Sequence, residues 1–225
     1  MGAKHGGFVT LGIEASCDDT ALAVTVDGNR VAADVISSQI DSHSVYGGVV
    51  PELASRMHQE AILPLLAKVL DDAGISSPRD EIDLIAVTAG PGLMGSLLVG
   101  VMTAKALAQG WGVPLIGVNH LEGHIFANVA RKEGDERPVP EPPFISMIVS
   151  GGHTEVVLVR SFGDYELLGS TRDDAAGEAY DKVSKVLGLP GGPVIDRLAA
   201  EGNPQAFTLP IPLAGSKEIE FFQGL

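Results

Sequence analysis

The 225-residue sequence has one cysteine, Cys17, so no disulfide can form within the chain and a cytoplasmic location is the expectation. Basic residues are scarce: 15 Lys and Arg face 29 Asp and Glu, a net charge of -14 at pH 7. Such a charge repels a phosphate backbone at long range, so a nucleic-acid substrate requires a local basic patch or a basic partner. No uncharged apolar run approaches the ~18 residues of a membrane span, and no membrane partner is expected. The opening "MGAKHGGFVTLGIEAS" has a single Lys and a short apolar stretch, which reads as a first strand and not as a leader peptide. What is present is 45% hydrophobic sequence, enough for one large or two small domains with real cores.

Alternating apolar residues predict three successive strands at 8–16, 21–28 and 30–39, the first two joined by the polar turn "CDDT". A helix follows over 51–74, with Pro51 in its first turn and Gly74 as its stop. Strand 83–90, a helix over about 93–109, strand 114–120 and a helix carrying His124 complete a mixed sheet with helical crossovers. The Pro-rich, charged stretch 132–143 reads as a linker between a first domain, 1–131, and a second, 144–225. The second restarts the pattern with strands at 144–150, 154–162 and 165–171 and a helix over 176–188. Ser16 and Thr20 bracket the first turn, and Ser150 and Thr154 bracket its counterpart at the same separation. A duplicated domain presenting paired Ser/Thr/Gly turns is the layout of actin-like, sugar-kinase-like ATPases, whose two turns grip a nucleotide's phosphates. The expected fold is therefore α/β, with duplicated actin-like ATPase (ASKHA, RNase H-like) domains, the second incomplete in this chain.

His120 and His124 in "NHLEGH" stand one helical turn apart, so both rings leave one face and can share one cation; two cap or core histidines are the alternative. Glu122 falls two residues after His120, on the far side of the helix, which removes the general base a zincin protease requires. "SGGHT" is either an ordinary Gly-Gly hairpin or a turn whose glycines let backbone N–H groups approach an anion. Its pairing with "SCDDT" favours the anion. Glu14, Asp18 and Asp19 gather carboxylates at the first turn, where an ATPase orients water or a metal phosphate. "GPGLMG" (90–95) matches G-x-G-x-x-G but lacks the acid at the end of the next strand, so it reads as a tight turn opening a helix N-terminus that faces an anion. Asp173 and Asp174 precede a helix and read as caps, while Asp181 with "PGGPVID" reads as a pocket for ribose hydroxyls and a purine. His43, His58 and His153 are expected to be structural, and Cys17, without an adjacent activating His, is not a nucleophile.

In order, "GIEASCDDTALAV", "YGGVVPELASRMH", "TAGPGLMGSLLVG", "NHLEGHIFA", "VSGGHTEVVLV" and "DDAAGEAYDKVSKVLGLPGGPVID" resemble the tRNA adenosine threonylcarbamoyltransferases of TsaD type, once described as O-sialoglycoprotein endopeptidases. The resemblance runs from about residue 10 to residue 212. It implies an acyltransferase that moves the threonylcarbamoyl group from threonylcarbamoyl-AMP to N6 of adenosine 37, in tRNAs reading codons that start with A (t6A synthesis). It implies that His120 and His124 are the metal pair, for iron(II) in the usual assignment or else zinc or magnesium. Ile148, Val149, Ser150, Gly151, Gly152, Asp181, Gly192 and Asp196 match contacts to an adenine nucleotide, whether threonylcarbamoyl-AMP, ATP or ADP. Glu14 and Asp18 are the expected catalytic carboxylates. The implied partners are the tRNA anticodon loop, a TsaB-type paralogue, a TsaE-type ATPase and a separate synthase supplying threonylcarbamoyl-AMP. Family members carry Tyr-Pro before the Gly-Gly-Pro where this chain reads "GLPGGP", which leaves the roles of Gly191 and Gly192 open. They also continue beyond it into a segment with a third metal ligand, an Asp, so this chain alone is expected to be inactive. Two other readings stay open: a non-catalytic actin-like partner subunit of the same complex, whose type lacks the two histidines, and an O-carbamoyltransferase acting on a small molecule.

Overall fold

The computed structural model describes residues 6–46 and 48–208. Strands β1 (Val9–Glu14), β2 (Asp19–Val26) and β3 (Arg30–Ser38) form an antiparallel meander. Helices α1 (Ile40–Ser44), α2 (Pro51–Asp72) and α3 (Pro78–Glu81) lead to β4 (Leu84–Gly90), and α4 (Met94–Trp111) leads to β5 (Leu115–Asn119) and α5 (His120–Phe126). The sheet order is β3-β2-β1-β4-β5, with β1, β4 and β5 parallel. Tight turns suffice for the antiparallel strands, whereas each parallel step needs a helical crossover, supplied by α2 and α4.

Alternation decides what the sheet buries. Val9, Leu11 and Ile13 of β1, Leu22, Val24 and Val26 of β2, and Ile85 and Val87 of β4 all point to one face. There they meet Ile62, Leu66 and Val69 of α2 and Ala104 and Ala108 of α4 in one cluster. The stop at Gly74 is as expected: its φ of +69° is the left-handed conformation that glycine adopts without a Cβ penalty, and Ile75 N–H reaches back to the Leu70 carbonyl at 2.9 Å.

The chain separates into two compact units between Val139 and Pro140. The stretch ending the first unit is anchored through Arg131, whose guanidinium donates to the carbonyls of Arg137 at 2.9 Å and Asn128 at 2.8 Å. The second unit holds an antiparallel sheet of β6 (Phe144–Val149), β7 (Thr154–Ser161) and β8 (Asp164–Ser170), followed by α6 (Ala176–Val186) and α7 (Gly192–Ala199).

The duplication extends to register. Glu14 pairs with Ala21 in the first hairpin and Ile148 with Glu155 in the second, each pair lying two residues before the serine and one after the threonine. Thr20 and Thr154 are thereby equivalent, and both are fully buried. Thr154 Oγ1 accepts from Ala176 N at 2.8 Å and so caps α6 across the sheet. Asp173 and Asp174, expected as caps, do otherwise: Asp173 accepts from the Thr171 hydroxyl at 3.1 Å, and Asp174 pairs with Lys182 at 2.6 Å. Helix α7 is also unexpected; Pro193 in its first turn pre-sets the helical φ, so "GPVID" coils instead of remaining a loop.

Candidate functional site

Three parallel strands deliver their carboxyl ends to one edge, where open α/β sheets place their ligand sites. β1 ends at Glu14, β4 passes Thr88 just before Gly90, and β5 ends at Asn119, immediately before His120. Because β4 lies between β1 and β5, Glu14, Thr88 and His120 become neighbours although Thr88 and His120 lie 74 and 106 residues beyond Glu14 in sequence. Asn119 starts α5 by accepting from Leu121 N at 2.8 Å, so the helix begins at the strand end and both histidines project from its first turns.

The ring nitrogens converge: His120 Nε2 and His124 Nε2 are 3.1 Å apart. Two nitrogens each ~2.1 Å from one tetrahedral ion are separated by ~3.4 Å, so the pair fits a shared cation with little movement. Among the described residues no group of three or more His, Cys, Asp or Glu side chains is arranged to hold a metal ion. Behind it, His120 Nδ1 lies 3.1 Å from both Glu14 Oε2 and Ser16 Oγ. Thr88 Oγ1 donates to the same Glu14 oxygen at 2.6 Å, and Ser16 N donates to Oε1 at 2.5 Å. Burial pushes the Glu14 carboxyl up, but donation from His120, then from the Ser16 and Thr88 side chains and the Ser16 backbone, outweighs it and holds the carboxyl down at about 2.

The turn above this edge is fixed from two sides. Ser16 O accepts from Leu93 N at 2.7 Å, and a Cβ on Gly92 would stand 2.7 Å from both Ser16 Cβ and Ser16 O, so "GPGLMG" requires glycine there to lie against "SCDDT". From the other side His58, fully buried on α2, bonds Thr20 Oγ1 through Nδ1 at 2.7 Å and the Cys17 carbonyl through Nε2 at 3.0 Å. Asp18 is half-buried and Asp19 exposed on the same turn. Burial, with the charges of Asp18, Glu14 and Asp19, pushes the Cys17 thiol above its ordinary value against a hydrogen bond from Ser16.

In the second unit the "SGGHT" turn is closed on itself: Ser150 Oγ accepts from Gly152 N at 3.3 Å and His153 N at 3.0 Å. Helix α6 abuts it closely, since a Cβ on Gly177 would lie 2.7 Å from the Ser150 carbonyl, which accepts from Gly177 N at 3.1 Å. Asp181 and Ser184, one turn apart on α6, hold the "GLPGGP" loop: Asp181 Oδ1 accepts from Gly192 N at 2.8 Å, and Ser184 Oγ accepts from Gly191 N at 2.9 Å. Asp196 is exposed on α7, while Ile148 is buried in β6 and Val149 exposed at its end. The positions that residue patterns left without a role are Thr88, Gly177 and Ser184. Only Thr88, a hydroxyl at the end of the apolar run "LIAVTAG", carries a visible signal.

Fold and site define an α/β protein with a two-histidine centre at the carboxyl edge of parallel strands. The chain matches the TsaD family, tRNA N6-adenosine threonylcarbamoyltransferase, over residues 30–225. It is similar to the protein of that name from Thermomicrobium roseum, 56% identical over 221 residues that make up 97% of this chain and 60% of that one. A protein of the same name from Anaeromyxobacter dehalogenans is 53% identical over 218 residues, 96% of this chain and 63% of that one. Among solved structures, YeaZ from Pseudomonas aeruginosa is similar with a TM-score of 0.43 at 17% identity, over 71% of this chain and 63% of that one. The chain belongs to the TsaD family, and it spans about three fifths of the length of the curated relatives it matches. No helix among the described residues is long and apolar enough to cross a membrane.

Proposed function

We propose that the whole protein is a cytoplasmic acyltransferase that moves the threonylcarbamoyl group from threonylcarbamoyl-AMP to N6 of adenosine 37 in tRNAs reading codons that start with A. The observation that carries this is the convergence of His120 and His124 at 3.1 Å, in a chain 53% to 56% identical to proteins named for that transfer. The reaction breaks the C–O bond of a mixed anhydride, forms a C–N bond and releases AMP and the amine proton.

His120 and His124 would hold one divalent cation, iron(II) or else zinc or magnesium, which when bound supplies Lewis acidity toward carbamoyl or phosphate oxygens. Of the two expected catalytic carboxylates, Glu14 has both oxygens filled by donors, which leaves half-buried Asp18 as the acceptor for the proton leaving the amine. Phosphate oxygens suit the "SGGHT" turn. There the Ser150 hydroxyl already occupies the acceptor position toward Gly152 N and His153 N that an anion takes over. The adenosine moiety is assigned to Asp181, Gly192 and Asp196, with Ile148 and Val149 framing the strand end. The target base leaves its stack cheaply because an anticodon loop is single-stranded.

A chain of net charge -14 needs help with tRNA, which supports partner proteins of the TsaB and TsaE types. Met94, Leu98 and Met102 are 86%, 59% and 54% exposed at one-turn intervals on α4, an apolar stripe of the kind that protein partners cover. The test is formation of the modified adenosine from a tRNA transcript by the full-length protein with both partners and the synthase, followed by nucleoside mass spectrometry. Product is expected from the wild type and none from His120→Ala; equal product from both would overturn the assignment.

A further inference from the structure

We infer that Glu14, locked by Thr88 and the Ser16 backbone, is the positioning residue that sets the His120 ring for a cation, by accepting its Nδ1 proton and so leaving Nε2 as a bare lone pair facing His124. The inference rests on the reading above, in which the two histidines hold that cation. A histidine ligates through an unprotonated nitrogen, so the other nitrogen must carry the hydrogen. The Ser16 hydroxyl, 3.1 Å from Nδ1, can donate or accept and therefore selects neither tautomer. Ionised Glu14 can only accept, and it selects the useful one.

The carboxylate has no freedom to do otherwise. Oε1 is held by Ser16 N at 2.5 Å and Oε2 by the Thr88 hydroxyl at 2.6 Å, so its plane is fixed from both ends before His120 reaches it. The duplicated hairpin supplies an independent observation. The register twin of Glu14 is Ile148, an apolar residue 4% exposed, although the two hairpins otherwise share the Ser and Thr positions. Of the two strands, β1 has a parallel neighbour, β4, which brings Thr88 alongside and, through β5 beyond it, His120; within its three-stranded sheet, β6 pairs with β7 alone. A carboxylate stands at this position in the half where a histidine needs orienting.

Glutamine at position 14 makes the test sharp. It is isosteric, but its amide either sets an NH2 against the Ser16 N–H, which can only donate, or turns the NH2 toward the Thr88 hydroxyl and His120 Nδ1. In the second arrangement the amide selects the wrong histidine tautomer. Cobalt(II) is the probe, titrated into the full-length protein against a competing chelator, with its visible absorption read as a report on ligand geometry. Wild type is expected to bind one ion and His120→Ala none. Glu14→Gln is expected to bind about 10- to 100-fold more weakly with an altered spectrum. Thr88→Val should lose affinity and Thr88→Ser keep it, with thermal melting of every variant as the control for folding. Affinity of Glu14→Gln within about twofold of a cobalt-binding wild type would overturn the inference and leave the metal reading standing. Absence of binding by the wild type would overturn both. If Glu14→Gln melts early, the threonine pair decides: equal affinity of Thr88→Val and Thr88→Ser overturns the inference.

Discussion

The turn that carries Asp18 is held by one fully buried histidine, and the strength of that tie can be worked out from its protons. The Cys17 carbonyl can only accept, so His58 Nε2 carries the hydrogen, Nδ1 is bare, and the Thr20 hydroxyl donates to it at 2.7 Å. His58→Leu takes away the acceptor of the Thr20 hydroxyl and leaves the Cys17 carbonyl only the Ser96 hydroxyl at 3.5 Å, up to about 1–3 kcal/mol for each, or roughly 2–6 kcal/mol together. Thr20→Val strands only His58 Nδ1 and should cost about 1–3 kcal/mol. In the double variant the Thr20–His58 bond is gone from both sides with no group stranded by it, so its cost should fall below the sum of the single costs by at least ~1 kcal/mol. Urea unfolding read by Trp111, the sole tryptophan and packed on the first unit's core, measures that unit directly. Constant m-values are needed for the comparison. Single costs that add within about 0.5 kcal/mol would show that the two side chains do not share a bond, and the account of the turn would fail.

Two further outcomes follow from close contacts and burial. Gly92→Ala forces a methyl to 2.7 Å from Ser16 and should destabilise the first unit by about 1–3 kcal/mol, whereas Gly151→Ala meets nothing within 4 Å and should be neutral. Equal urea midpoints for these two variants would refute the close-approach argument. Cys17, its thiol raised by burial and neighbouring carboxylates, should react with iodoacetamide more slowly than free cysteine at about pH 8, because less of it is thiolate. A rate equal to or above that of free cysteine would contradict this.

Periodicity was enough to locate the main strands and the helices α2, α4 and α6 within a few residues, because each buries one face and the apolar spacing shows which. The short helices α1 and α3 escaped it, since helices of five and four residues carry too few turns to show a stripe. Asp181 is a different case. Its carboxylate and the glycines of "GLPGGP" were legible as partners, but a ligand pocket and a loop tied to α6 have the same composition. Only the 2.8 Å bond from Gly192 N shows that the carboxylate already has a donor.

The histidine pair was legible because both rings lie on one helix, where one-turn spacing is itself geometry. Glu14 was legible only as an acid near a turn. Its partners sit on β4 and α5, and alternation reveals which way a side chain points but not which strand lies beside it. That adjacency arises from the crossovers: α2 carries the chain back so that β4 adds parallel to β1, and α4 repeats the step for β5. The same hairpin, written twice with one register, therefore becomes two different local environments. Where parallel neighbours add on, a carboxylate gains a hydroxyl and an imidazole to hold; in the second sheet the twin position remains apolar and packs as Ile148. Chemistry in this chain follows the strand order of the first unit, and the shared hairpin acts as its scaffold.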